Sequence, residues 1–319
     1  MLKFIVKRIL YAIPTILITV SIVFVLMRLL PNNPIYNMVD MDEVTEEQIA
    51  ELEEQYGIND PIWKQYLNYM GDVFTGNWGR SFFNEVPVFE NITSRLEPTL
   101  MMTVLSTLIT FCIGVPIGIL CATRRNSVLD YAMSSGAIVF MAVPSFWLGL
   151  LMIYFLAFKM KWFPIEGYRS IAKYGFWNAV YSIILPSIAL GMSHVASIAR
   201  QTRSSMLNVL NTDYIRTARA KGLSERMVHY KHALKNTMSL IATLIGSTVG
   251  GLLGGSTVIE NVFNIQGVGK LSHQALMRLD YYQEQADTLF TVLIIVAINI
   301  ILDIVYKLLD PRIDISEWR

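Results

Sequence analysis

Few residues of this sequence are placed to do chemistry, and those few stand among apolar neighbours. His194 is alone in a charge-free stretch, and Asp303 precedes Lys307 by one helical turn, a spacing at which carboxylate and ammonium meet on one helix face. That pair reads as a structural ion pair, because the cation favours the ionised acid and opposes the desolvation a proton relay would need. His194 reads as a histidine hydrogen-bonded inside a bundle. His229 and His232 lack a third ligand nearby, so no metal centre is expected. Asn264-Ile-Gln-Gly267-Val-Gly269-Lys270-Leu271 has the outline of a phosphate loop, but Asn264 replaces its first glycine and Leu271 its magnesium-holding Ser/Thr, so nucleotide binding by this chain is not expected. Cys112 and Cys121 share one apolar run and give neither a disulfide framework nor metal spacing; both are expected to be buried, inert thiols. No paired-carboxylate, Ser/His or His/Glu constellation occurs at membrane depth, which disfavours a membrane-embedded hydrolase, the alternative from another functional class.

The elements around these residues are set by composition. The chain has 319 residues, 53% hydrophobic and 16% charged, against roughly 25% charged in an average soluble protein. Its formal charge of +1 leaves no basic excess of the kind a nucleic-acid binder uses. Charge-free runs occupy Thr99–Ala122, Tyr131–Phe158, Phe176–Ala199, Thr237–Ile259 and Thr288–Leu302, and the first four exceed the ~20 residues that cross a hydrocarbon core. The fifth reaches that length by continuing through Asp303 to about Leu309, and Ile9–Leu30 adds a first span in which Arg28 lies close enough to the end to snorkel. The expected fold is therefore an all-α membrane protein with six transmembrane helices. Most of the 26 Lys and Arg fall in Met1–Arg8, Thr123–Asp130, Arg200–Asn236 and Lys307–Arg319, which places those segments and both termini in the cytoplasm. The organisation reads as 1–98, a first span and an external helical loop; 99–309, a core of five spans with a cytoplasmic loop at 200–236; and 310–319, a cytoplasmic tail.

The external loop, Pro31–Pro98, carries thirteen acids and is expected to fold. Thr45-Glu46-Glu47-Gln48 is a capping box, after which Ile49, Leu52 and Tyr56 share a helix face until Gly57 stops it. Ile62, Trp63, Tyr66, Leu67 and Met70 make a second amphipathic stretch for the membrane surface or the spans. Within the core, Gly246, Gly250, Gly251, Gly254 and Gly255 repeat the G-x-x-x-G spacing that permits close helix approach; they suit either helix packing or a wide pathway that does not grip its solute. Gly114 and Gly118 give a second such site, and Pro116, Pro144 and Pro186 should kink or loosen their helices.

The cytoplasmic loop is patterned beyond the needs of a connection. Asp213 can cap a short helix through Tyr214, Ile215, Arg216, Thr217, Ala218, Arg219, Ala220 and Lys221, with its basic residues where the macrodipole favours them. Gly222 supplies a left-handed stop, Leu223 follows, and Ser224 can cap a further helix over Glu225–Asn236.

These residues resemble the cytoplasmic EAA loop of the permease subunits of ABC importers, in the version of the oligopeptide/dipeptide/nickel branch. The Glu-Ala-Ala of the general pattern is here Arg216, Thr217 and Ala218, a departure typical of the peptide branch. Further blocks agree in order across nearly the whole chain: Phe4–Pro14, Tyr56–Tyr66, Gly76–Phe82, Pro144–Gly149, Glu260–Gly269 and Asp303–Arg312. With its long first external loop, the chain resembles the B-type member of a permease pair. The resemblance implies a type I importer permease (MetI-like) fold in a bacterial-type plasma (inner) membrane, with residues 213–224 contacting an ATPase. It implies a second, C-type permease, two cytoplasmic ATPase subunits holding ATP and magnesium, and an external substrate-binding protein, with no cofactor on this chain. The solute implied is a peptide, or alternatively nickel or another metal chelate.

Overall fold

The computed structural model describes residues 2–30, 33–37 and 44–309. The chain divides into two compact units, Met1–Glu97 with Gly267–Val296, and Pro98–Gln266 with Ala297–Arg319. Among the described residues, five helices are long and apolar enough to cross a membrane: Val6–Leu29, Val88–Thr123, Phe176–Leu210, Leu240–Val262 and Tyr281–Ile301.

In the first unit, α1 (Leu2–Leu29) is followed by α2 (Glu46–Gln55) and α3 (Ile62–Thr75). The capping box forms as expected, with Thr45 accepting from the Gln48 amide and Gln48 reaching back to the Thr45 backbone. Gly57 ends the helix at φ +63°. The apolar residues of α3 divide between two faces. Ile62, Trp63 and Leu67 are exposed, whereas Tyr66 meets the Phe24 ring edge-on at 5.2 Å and Tyr69 stacks on it at 5.4 Å. Arg28 does not simply snorkel: its guanidinium lies 3.8 Å from the Phe24 ring centre and 4.9 Å from that of Tyr281, and its Nε donates to Gln65 at 2.9 Å. Aromatic faces and one amide thus take the place of water around this cation.

The start of α4 (Val88–Thr123) and of α13 (Tyr281–Leu309), with α12 (Val268–Arg278), completes this unit around Val88, Ile92, Val268, Leu271 and Ala286. The sixth helix begins earlier than the charge-free run suggested, because Asp280 accepts from the Gln283 amide and caps it. Glu284 and the fully buried Asp287 therefore lie inside the helix. Asn91 donates to Gln283, Gln283 to Asp287 and Ser272 to Glu284 at 2.8–2.9 Å, partners that offset part of the cost of burying acids.

The second unit is organised by α8 (Phe176–Leu210), whose apolar window is 67% buried against 11% for α1. Around it stand the rest of α4, α5 (Val128–Ala142), α6 (Ser145–Met152), the short α7 (Ile171–Tyr174) and α11 (Leu234–Val262). The run Tyr131–Phe158 does not form one helix. Pro144 is extended at ψ 137° and divides it into α5 and α6, because proline offers no amide and pushes its predecessor out of helical geometry; α6 then continues as a π-turn over Ile153–Lys159. Pro116 and Pro186, by contrast, are carried within α4 and α8. The fourth span also runs past Ala199 to Leu210, so part of the expected 200–236 loop is helix. Cys121 is buried, but Cys112 is exposed, which corrects the expectation that both thiols are covered.

Candidate functional site

The segment expected to contact an ATPase is built on the end of α8. α9 (Asp213–Ala220) follows after a two-residue turn. Asp213 is not its cap: Thr212 occupies that position without a side-chain cap, its hydroxyl donating instead to the Val209 carbonyl at 2.7 Å. Asp213 sits in the first turn and pairs with Arg216 at 2.9 Å, a place where a carboxylate complements the helix dipole. Ile215 and Ala218 turn inward onto Ile119, Met206, Leu210 and Val228, while Tyr214, Arg216, Thr217, Arg219, Ala220 and Lys221 are exposed. The helix is a largely exposed rod anchored by Ile215 and Ala218.

Gly222, at φ +76°, donates to the Arg219 carbonyl at 2.9 Å, and Leu223 donates to the Ala218 carbonyl at 3.4 Å. This is a Schellman ending, and Leu223 packs on the same cluster as Ala218, the apolar contact that accompanies such endings. Ser224 accepts from the Met227 amide and starts α10 (Glu225–Met227). The expected separate helix Glu225–Asn236 does not end there: α10 passes through a π-turn, Val228–Ala233, into α11 without a break. The corner is therefore joined directly to the fifth span.

Arg219 closes the corner with a bidentate pair to Glu225 at 2.8 and 3.1 Å. The guanidinium bonds hold the Glu225 carboxyl below the usual glutamate range, against a smaller opposing effect of burial. Any contribution from this pair is present above the ordinary glutamate range and is lost only as pH falls through the lowered value, so it is intact at neutral pH. His229 turns to Glu225 at 3.2 Å and His232 to the Tyr214 hydroxyl, so the two imidazoles serve different partners. At the base, Asp130 accepts a bidentate fork from Arg203, both bonds 2.7 Å, a contact no sequence spacing announced.

The glycines of α11 split into two sets. A Cβ on Gly251 would lie 3.4 Å from His194 Nε2 and one on Gly255 3.5 Å from Leu190 Cδ1, both on α8, whereas at Gly250 and Gly254 it would meet nothing within 4 Å. Gly246 is half-buried. His194 bonds Ser193 through Nδ1 at 2.8 Å, as a histidine satisfied within the bundle. Asp303 is buried, but the Lys307 side chain lies outside the described residues, as do residues 310–319. Sequence reasoning missed the buried Glu260, which accepts from the Thr99 hydroxyl at 2.7 Å, the half-buried Glu284 and the buried Asp287. The last two were signalled by Asp280 with Gln283 three residues on, a helix-start pattern.

This arrangement presents a projecting, capped rod and uncommitted helix faces. Two family models cover the chain: residues 114–315 match "Binding-protein-dependent transport system inner membrane component" and residues 1–103 match "Binding-prot-dependent transport system membrane comp, N-term". Among similar proteins, the oligopeptide transport system permease protein AppB of Bacillus subtilis is 36% identical, over 98% of this chain and all of that protein. The dipeptide transport system permease protein DppB of Escherichia coli K12 is 34% identical, over 98% of this chain and 99% of its own. A solved structure titled as an inward-facing conformation of the MetNI methionine ABC transporter shares the fold, with a TM-score of 0.53 and 21% identity over 70% of this chain and 98% of its own. The chain belongs to the binding-protein-dependent transport system inner membrane component family, as a permease subunit of an ABC importer and not an enzyme.

Proposed function

We propose that this chain is the B-type permease of a peptide importer, taking oligopeptides or dipeptides from an external binding protein and passing them along a pathway shared with a C-type permease. Supporting the solute class are the oligopeptide and dipeptide permeases to which the chain is similar over its full length. Two cytoplasmic ATPases bind ATP and magnesium and drive alternating access, and both termini of this chain face them. The observation that carries the reading is the α9 rod with its Gly222 corner, fused through α10 to the fifth span. A push on the exposed face of Arg216–Gly222 is thereby delivered to α11 without an intervening loop.

The test is peptide-stimulated ATP hydrolysis by the reconstituted complex carrying Gly222→Val. A Cβ at Gly222 would meet nothing within 4 Å, so the change acts through backbone strain alone, costing more than ~1 kcal/mol in the left-handed region. The expected result is an assembled complex with lost stimulation. Wild-type stimulation in a folded variant would overturn the coupling role, and stimulation by nickel chelates but not by peptides would overturn the solute class.

A further inference from the structure

Between α4, α5 and α8 lie two adjoining cavities of about 220 and 190 Å³, which share Ile117, Met133, Ala137, Ala196 and Ala199 as walls. The helices stand apart here: a Cβ on Gly136, in the first cavity's wall, would meet nothing within 4 Å. The second cavity is lined in part by Arg200 and Arg203. These two arginines are not equivalent. Arg203 is neutralised by its fork to Asp130, while the exposed side chain of Arg200 has no hydrogen-bond or ion-pair partner among the described residues. Asp130 also accepts from the Asn126 amide, which holds the 124–130 turn beside Arg203. Arg124 and Arg125, on that turn, are likewise exposed, and their side chains have no partner among the described residues.

We infer that this groove holds one acyl chain of an anionic phospholipid, with the headgroup phosphate at Arg200 beside the Arg124–Arg125 turn. Charge complementarity selects the occupant. A neutral partner helix would fill the apolar walls but leave Arg200 unmatched, whereas a phospholipid satisfies both at once. Basic pockets between helices on the cytoplasmic side suit anionic headgroups, and the assignment of these arginines to the cytoplasmic leaflet rests on the proposed orientation.

The experiment uses the whole transporter, equilibrated with vesicles of phosphatidylethanolamine and phosphatidylglycerol at three to one, then extracted and weighed by native mass spectrometry. The wild type should retain phosphatidylglycerol selectively. Arg200→Gln should reduce its retention about fivefold, the effect of one basic residue near an anionic surface, and Gly136→Leu, which fills the groove, should reduce it further. Equal retention of both lipids, or unchanged retention in Gly136→Leu, would overturn the inference, as would crosslinking of Gly136→Cys to the second permease. Labelling of Arg124→Cys from each side of the membrane tests the orientation separately. Access from outside with selective retention intact would move the lipid to the other leaflet and refute the orientation alone.

Discussion

α4 and α11 carry the same G-x-x-x-G spacing, yet they use it differently. On α4, a Cβ at Gly118 would lie 2.5 Å from the Ala199 carbonyl oxygen and 2.6 Å from Thr202 Cβ, and one at Gly114 would be 3.0 Å from Ile198. Beside this contact, Ser106 and Thr110 donate to the Ser187 and Gly191 carbonyls of α8 at 3.0 and 2.9 Å. Backbone therefore meets backbone, and hydroxyls reach across, as expected where helices associate without a hydrophobic drive between them. On α11, Gly251 and Gly255 are spent on α8, and a Cβ at Gly250 or Gly254 would meet nothing within 4 Å among the described residues. A shared motif thus closes one interface and leaves another face open among the described residues.

The sharpest way to break this contrast is Gly118→Ala. The obstruction is a backbone carbonyl, which cannot swing aside, so the helices must separate. A loss of about 3 kcal/mol is expected, read as a large fall in the thermal midpoint of the purified subunit or in its membrane yield. An unchanged midpoint would show that the α4–α8 contact is loose.

Gly251→Ala tests the intermediate case. Its new methyl would stand 3.4 Å from the His194 ring, a side chain able to yield, and the expected stability change is within about 0.5 kcal/mol. A loss as large as that at Gly118 would mean that His194 is fixed and that both glycine faces are closed.

Of the three, Gly250→Ala is expected to cost the subunit nothing, because helix propensity alone acts and favours the variant by up to about 1 kcal/mol. Gly250→Leu sharpens the comparison: the subunit should fold normally while assembly or transport fails, whereas Ile294→Ala on the sixth helix should matter less. Full transport by Gly250→Leu would remove the open face from the pathway or the partner contact.

How far the fold could be read in advance depended on whether its signals were local. The Thr45 capping box, the Gly222 ending and the close approach at Gly114 and Gly118 are written in residues a few positions apart, and they stand in the structure. The Asp130–Arg203 fork joins residues 73 apart, the buried Glu260 accepts from Thr99, 161 residues away, and Gln283, which donates to the buried Asp287, is itself held by Asn91, 192 residues away. Charge was also a poor boundary marker. Arg200 and Arg203 suggested the end of the fourth span, although arginine is a good helix former and the helix simply continues. Pro144 announced a weak point, but only the structure shows it as a full break, with its two short pieces in place of one span.

The π-turn at Val228–Ala233 sets the rotational phase between the Gly222 corner and the glycine helix. Each residue of an α-helix advances the side-chain direction by about 100°, so the extra residue taken up in the wider turn decides which edge of α11 looks away from α8. Deleting one residue between Val228 and Ala233 would restore ordinary pitch and turn everything beyond Leu234 by about that angle. Gly250 and Gly254 would leave their open side, and bulkier neighbours would take it. The register of a single turn near the Gly222 corner thus decides, several helical turns away, whether the open face of α11 is smooth.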